Sequence, residues 1–202
     1  TAYDIGRKTL HWSIGKQDEY IASFGGFNFI SFKKNKISVQ PIKLKQSSKK
    51  ELEENLLLFF LGNTRNSSKI LTEQIKNIKN KKSETLESLS HTKNLALDMN
   101  NSLKKSDLSN FGNLLHEGWI AKKCFSSHVT NQKIDKIYEK ALKSGALGGK
   151  LTGAGGGGHM LFYCEKNKQK TLINSMKKIG INEIEFNFYK NGPKVIDPLK
   201  YL

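Results

Sequence analysis

Lys150-Leu151-Thr152-Gly153-Ala154-Gly155-Gly156-Gly157-Gly158-His159 carries five glycines in six positions and runs straight into Met160-Leu161-Phe162-Tyr163. Glycine lacks Cβ, so it takes positive φ at little cost and lets a backbone approach a ligand closely. Successive N–H groups in such a turn form a concave nest for an anion, with Thr152 offering a hydroxyl and Lys150 a cation. A linker is the competing reading, but linkers do not ordinarily sit between a lysine–threonine pair and a clean strand. The stretch lacks the Gly-Lys-Ser/Thr ending of a Walker loop. A strand rather than a helix follows it, which excludes the dinucleotide fingerprint. It reads as a glycine turn that contacts phosphate or an anionic substrate and enters a strand over 159–164.

Working outward, a helix is expected over 167–179, stopped by Gly180, then a strand over 183–189. Ile184, Phe186 and Phe188 alternate there with Glu183, Glu185 and Asn187, the mark of a sheet covered on one side. Upstream, Ile134, Ile137, Tyr138 and Ala141 give a helical period over 131–144, ended by Gly145. Similar spacing predicts helices over 67–79, over 85–104 (Leu86, Leu89, Leu95, Met99, Leu103) and over 107–125 (Leu108, Phe111, Leu115, Trp119). The short apolar run 56–61, closed by Gly62-Asn63, reads as a buried strand. Residues 27–32 and 37–44 read as a hairpin with Pro41 near an edge, and the first fifteen residues as the tail of a helix and a turn. The polar stretch 45–50 reads as the boundary between two units. Helices and strands in this mixture indicate an α+β fold.

Composition narrows the function. The 202 residues include 11 Phe, 6 Tyr and 2 Trp, too many aromatics for a disordered polyelectrolyte. The formal charge is +16, yet Arg7 and Arg65 are the only arginines and the lysines are spread along the whole chain. That spread reads as a solvated basic surface, so no nucleic-acid partner is expected. The longest apolar run, 56–61, falls far short of the roughly 20 residues that span a bilayer, so no membrane partner is expected either. No apolar signal core stands in the first ten residues, and a cytoplasmic protein is expected. Cys124 and Cys164 are too few for a disulfide scaffold or a cysteine zinc site, and both read as inert buried thiols. The histidines are too dispersed for a metal set.

Residues 150–158 leading into an apolar strand resemble the third conserved motif of the GHMP small-molecule kinases. Gly15-Lys16-Gln17-Asp18-Glu19-Tyr20, followed by Phe24-Gly25-Gly26-Phe27-Asn28-Phe29, strengthens the match and is most similar to the branch acting on heptose phosphates. Thr64-Arg65-Asn66-Ser67-Ser68 and Leu147-Gly148-Gly149-Lys150 fit that branch too. The resemblance implies a sugar kinase that uses ATP and Mg²⁺ to phosphorylate a sugar or sugar phosphate, and it leaves a homodimer open. It implies that 1–47 complete a ribosomal-protein-S5-like N-terminal nucleotide domain and that 48–202 form a ferredoxin-like C-terminal domain with added helices.

The family's Pro-x-Gly-Leu-Gly-Ser-Ser nucleotide loop does not occur in this sequence. The chain therefore reads as a C-terminal portion, expected by itself to bind ATP poorly and to be inactive. Where the family usually carries a metal-holding Glu, this sequence has Gly6, so no metal ligand is assigned unless Asp4 substitutes. A GHMP-fold binding or assembly module without phosphoryl transfer is the alternative.

On that resemblance Asp18 is the candidate catalytic residue, orienting the acceptor hydroxyl and taking its proton. Lys16, Thr64, Arg65, Lys150 and Thr152 are candidate substrate-binding residues. Arg65 suits a phosphate because its guanidinium is a rigid, permanently charged fork. Gly153, Ala154, Gly155, Gly156 and Gly157 form the candidate phosphate loop. The resemblance further implies that Asp18 and the glycine turn serve one cleft.

Overall fold

A computed structural model of the chain describes residues 2–11, 14–34, 36–62 and 67–193. The chain divides into two compact units, Thr1–Lys43 with Asn187–Leu202, and Leu44–Phe186.

In the first unit, a helical turn α1 (Ala2–Asp4) passes into a π-helical turn over Ile5–Thr9, and α2 spans Gln17–Phe24. Strands β1 (Asn28–Lys33) and β2 (Lys36–Pro41) form the expected antiparallel hairpin, with Ile30 opposite Val39 and Asn28 opposite Pro41 at its open end. Alternating apolar residues here suit a half-covered two-stranded ribbon. The Gly26 N–H donates to the Tyr189 C=O at 3.1 Å, and Phe27 meets Phe188 edge to face at 4.7 Å.

The second unit is built on an antiparallel sheet of order β4-β5-β3-β6, made of β3 (Leu56–Phe60), β4 (Gly148–Leu151), β5 (His159–Tyr163) and β6 (Glu183–Ile184). Leu57 pairs with Phe162 and Phe59 with Met160, so these four side chains share one face of adjacent strands. Helices α3 (Gln46–Asn55), α4 (Ser67–Lys79), α5 (Ser83–Lys105), α6 (Leu108–Lys123), α7 (Gln132–Lys143) and α8 (Lys166–Lys177) complete the unit. One apolar cluster joins four of them to the sheet: Ile70 of α4, Trp119 of α6, Tyr138 and Ala141 of α7, Leu172 and Met176 of α8. Caps mark the helix starts. The Asp107 side chain accepts from the Asn110 N–H at 3.2 Å, and that of Asn131 from the Ile134 N–H at 3.0 Å.

Three expectations are corrected. Residues 45–50 are not a bare linker, because 46–50 open α3, which buries Ser48 and Leu52. The strand expected over 183–189 pairs only at Glu183–Ile184, since Phe188 finds its apolar partner in the first unit instead. Cys124 is half-buried rather than core, whereas Cys164 is fully buried and its thiol is pushed up to about 11 by that burial.

Candidate functional site

The glycine turn is the connection of a β4–β5 hairpin. Thr152 N–H donates to His159 C=O at 2.9 Å and closes it, and Thr152 Oγ1 donates to the same carbonyl at 3.3 Å. Gly153, Gly155, Gly156, Gly157 and Gly158 all have positive φ. That sequence of angles is open to glycine and strained for any L side chain. Gly156 N–H donates to Val129 C=O at 2.6 Å, and Leu61 N–H to Gly158 C=O at 2.9 Å. The amides of Gly153, Ala154, Gly155, Gly157 and Gly158 make no hydrogen bond to another described residue, so Gly153, Ala154 and Gly155 form an uninterrupted run of free donors.

Two cations attend the loop. Lys150 stands on β4 at its entrance, where crowding by protein strips water from the ammonium and lowers its pKa, although the residue as a whole is exposed. Lys122 reaches from α6, its Nζ donating to the Leu151 C=O at 3.2 Å and to the Gly153 C=O at 2.5 Å. Sequence reasoning missed Lys122, because nothing in its spacing sets it apart from the chain's other lysines.

Beneath β4 the packing is very close. A Cβ at Gly148 would lie 2.2 Å from the Gly112 carbonyl oxygen and 2.6 Å from the His116 nitrogen, both on α6. The Tyr138 hydroxyl donates to the Gly149 C=O at 3.3 Å and pairs with His116 Nδ1 at 2.9 Å. Gly148 therefore lets α6 press against the strand that leads into the loop, whereas a Cβ at Gly149 would meet Leu161 and Phe162 of β5.

The remaining candidates are placed as follows. Asp18 is exposed in the first turn of α2, and Lys16 caps that helix with Nζ 5.2 Å from the Tyr3 ring centroid. Thus Lys16 and Asp18 stand together in the first unit, while Lys150, Thr152 and the loop glycines stand together in the second. Thr64 and Arg65 lie outside the described residues. Gly6 is buried within the π-helical turn, and the neighbouring Asp4 pairs with Lys8 at 3.0 Å. Among the described residues, no three of His, Cys, Asp and Glu converge on a metal position, and no helix is long and apolar enough to cross a membrane.

Residues 99–182 match the family described as GHMP kinases C terminal. The chain is 36% identical over 194 residues to the D-glycero-alpha-D-manno-heptose 7-phosphate kinase of Campylobacter jejuni, a match covering 96% of this chain and 57% of that protein. It thus spans little more than half the length of this relative. The crystal structure of a D-glycero-D-manno-heptose 1-phosphate kinase from Bacteriodes thetaiotaomicron superposes with a TM-score of 0.68 at 28% identity, covering 97% of this chain and 54% of that one. The crystal structure of L. major mevalonate kinase gives a TM-score of 0.70 at 18% identity over 95% of this chain and 56% of that one, a likeness of fold alone.

Proposed function

We propose that this chain, whose residues 99–182 match the C-terminal family of the GHMP kinases, works in a sugar kinase transferring the γ-phosphoryl group of ATP to a hydroxyl of a sugar phosphate, a heptose phosphate above all. The observation that carries the reading is the glycine hairpin, with unspent amides at Gly153, Ala154 and Gly155, Lys150 on the strand that enters it and Lys122 Nζ on its Gly153 carbonyl. Unspent amides and a nearby cation suit a phosphoryl group, because its transfer demands positioning and charge stabilisation rather than covalent help from the protein.

The assigned roles follow that chemistry. Asp18 accepts the proton of the acceptor hydroxyl as its oxygen bonds to the γ-phosphorus and ADP leaves. Lys16 contacts an oxygen of the sugar, and Thr64 with Arg65 holds its phosphate. Lys150, Thr152 and residues 153–157 hold the anionic group at the loop. Mg²⁺ neutralises charge on the phosphates when bound, and it needs only one or two protein carboxylates. Asp4, next to Gly6 in the turn, is the carboxylate this chain offers. The strand order β4-β5-β3-β6, with helices between β3 and β4 and between β5 and β6, supports a ferredoxin-like second unit. The S5-like reading of the first unit is part of the same proposal.

The test is a fusion in which this chain replaces the matched portion of the C. jejuni kinase. Heptose-phosphate-dependent ADP release is expected, reduced at least about 100-fold by Asp18→Asn, the usual scale for a lost general base. Absence of ADP release from the unsubstituted fusion would favour the non-catalytic binding module.

A further inference from the structure

A loop of five glycines does not hold its own shape, because each glycine has more backbone freedom to lose than any other residue. Its own ladder fixes only the ends, at Thr152–His159 and at Gly158–Leu61. Two flanks of the second unit fix the middle. On one side, Lys122 Nζ takes the Leu151 and Gly153 carbonyls, and on the other, Val129 C=O takes the Gly156 N–H.

Val129 is itself held from a distance. Its side chain is 1% exposed, and its N–H donates to the Ser126 C=O at 3.2 Å, closing a turn over 126–129. That turn is organised on one carboxylate from α4. Glu73 accepts from Ser126 Oγ at 2.5 Å, from the Ser127 N–H at 3.3 Å and from Ser127 Oγ at 3.0 Å, and it pairs with His128 Nδ1. Ser126 Oγ in turn accepts from the His128 N–H at 3.2 Å. These donors hold the Glu73 carboxyl well below the usual carboxylate range, at about 2, so it stays ionised and keeps all of them.

We infer that Lys122 and Glu73 are positioning residues for the glycine loop, Lys122 acting directly and Glu73 through the 126–129 turn. The inference rests on the reading of this loop as the anion site. An anion nest needs amides aimed inward and carbonyls turned away. Lys122 draws two carbonyls to itself, and Val129 anchors the loop's far side through Gly156, leaving the consecutive amides of Gly153, Ala154 and Gly155 among the free donors.

Two measurements test this, one independent of catalysis. Hydrogen exchange of the 202-residue chain should show residues 152–159 exchanging at least about tenfold faster in Lys122→Met and Glu73→Ala, with β3 and α8 unchanged. Lys122→Arg and Glu73→Gln, which keep most of the hydrogen bonds, should restore protection. In the fusion described above, the two disruptive variants should raise KM for ATP or heptose phosphate about tenfold, with kcat altered less than about threefold. A purely structural role would instead lower the amount of active enzyme and leave KM in place. Unchanged exchange in 152–159, equal acceleration in every segment, or an unmoved KM would each overturn the inference. If the unsubstituted fusion releases no ADP, the kinase reading fails, and the exchange measurement alone decides this one.

Discussion

Glu73 shows how much a single carboxylate can organise. Its folded pKa of about 2 lies below the ordinary 4.5 because hydroxyl, imidazole and amide donors from three consecutive residues face it. As pH falls, the unfolded chain takes up this proton first. Stability from the site is therefore complete above about pH 4.5 and is lost as pH drops toward 2. Urea unfolding followed between pH 6 and 3 should show Glu73→Gln losing less stability on acidification than the parent chain. Nothing in the local sequence marks this residue. Ser126-Ser127-His128 reads as an ordinary polar turn, and its partner stands more than fifty positions earlier. The turn that Thr152 closes on His159 was legible for the opposite reason, because its residues are neighbours in sequence.

At the scale of elements, helices with a regular apolar period were readable almost to the residue. The expected helix over 131–144 is α7, started by Asn131 and stopped at Gly145, which has φ 107°. Elements whose reason for existing lies elsewhere in the fold were not. Gly148-Gly149-Lys150-Leu151 has no strand propensity, and it is β4 because β5 offers it a ladder and α6 needs a surface without side chains. Helix α3 lacks a side-chain cap and opens on Lys45-Gln46-Ser47-Ser48, so the burial of Ser48, Leu52 and Asn55 in the folded unit is what argues for it. The packing of α6 on β4 makes a prediction at this scale. Gly148→Ala would drive Cβ into α6 backbone and should cost about 3 kcal/mol, whereas Gly153→Ala meets nothing within 4 Å and should cost only the strain of its φ of +69°, about 1 kcal/mol. Thermal unfolding of the two variants, at a site where a flexible side chain cannot yield, gives the ranking directly.

For the whole molecule, core formation is uneven. The second unit buries Trp119, Phe59, Phe162, Leu151 and Met160 completely, while Gly6 is the only buried residue among those described in the first. Opening free energies should differ accordingly, since local stability follows buried apolar contact. In native-state hydrogen exchange, amides of β1 and β2 should exchange at least about tenfold faster than those of β3 and β5. Equal protection in the two strand pairs would refute this.

Local pattern alone determined a good deal: the helical and strand periods, the glycine turn, and the exclusion of a membrane span by run length. These are short-range properties, set by φ preferences and by the repeat lengths of helix and strand. Tertiary structure alone decided which lysine serves the loop, which carboxylate stiffens its far flank, and why Gly148 has no side chain. Lys122 with Gly153, Glu73 with Ser126, and Gly112 with Gly148 are separated by thirty or more positions. Their pairing arises only when helices close on the sheet, because a hydrogen bond or a steric contact acts over a few ångströms of space whatever the distance along the chain.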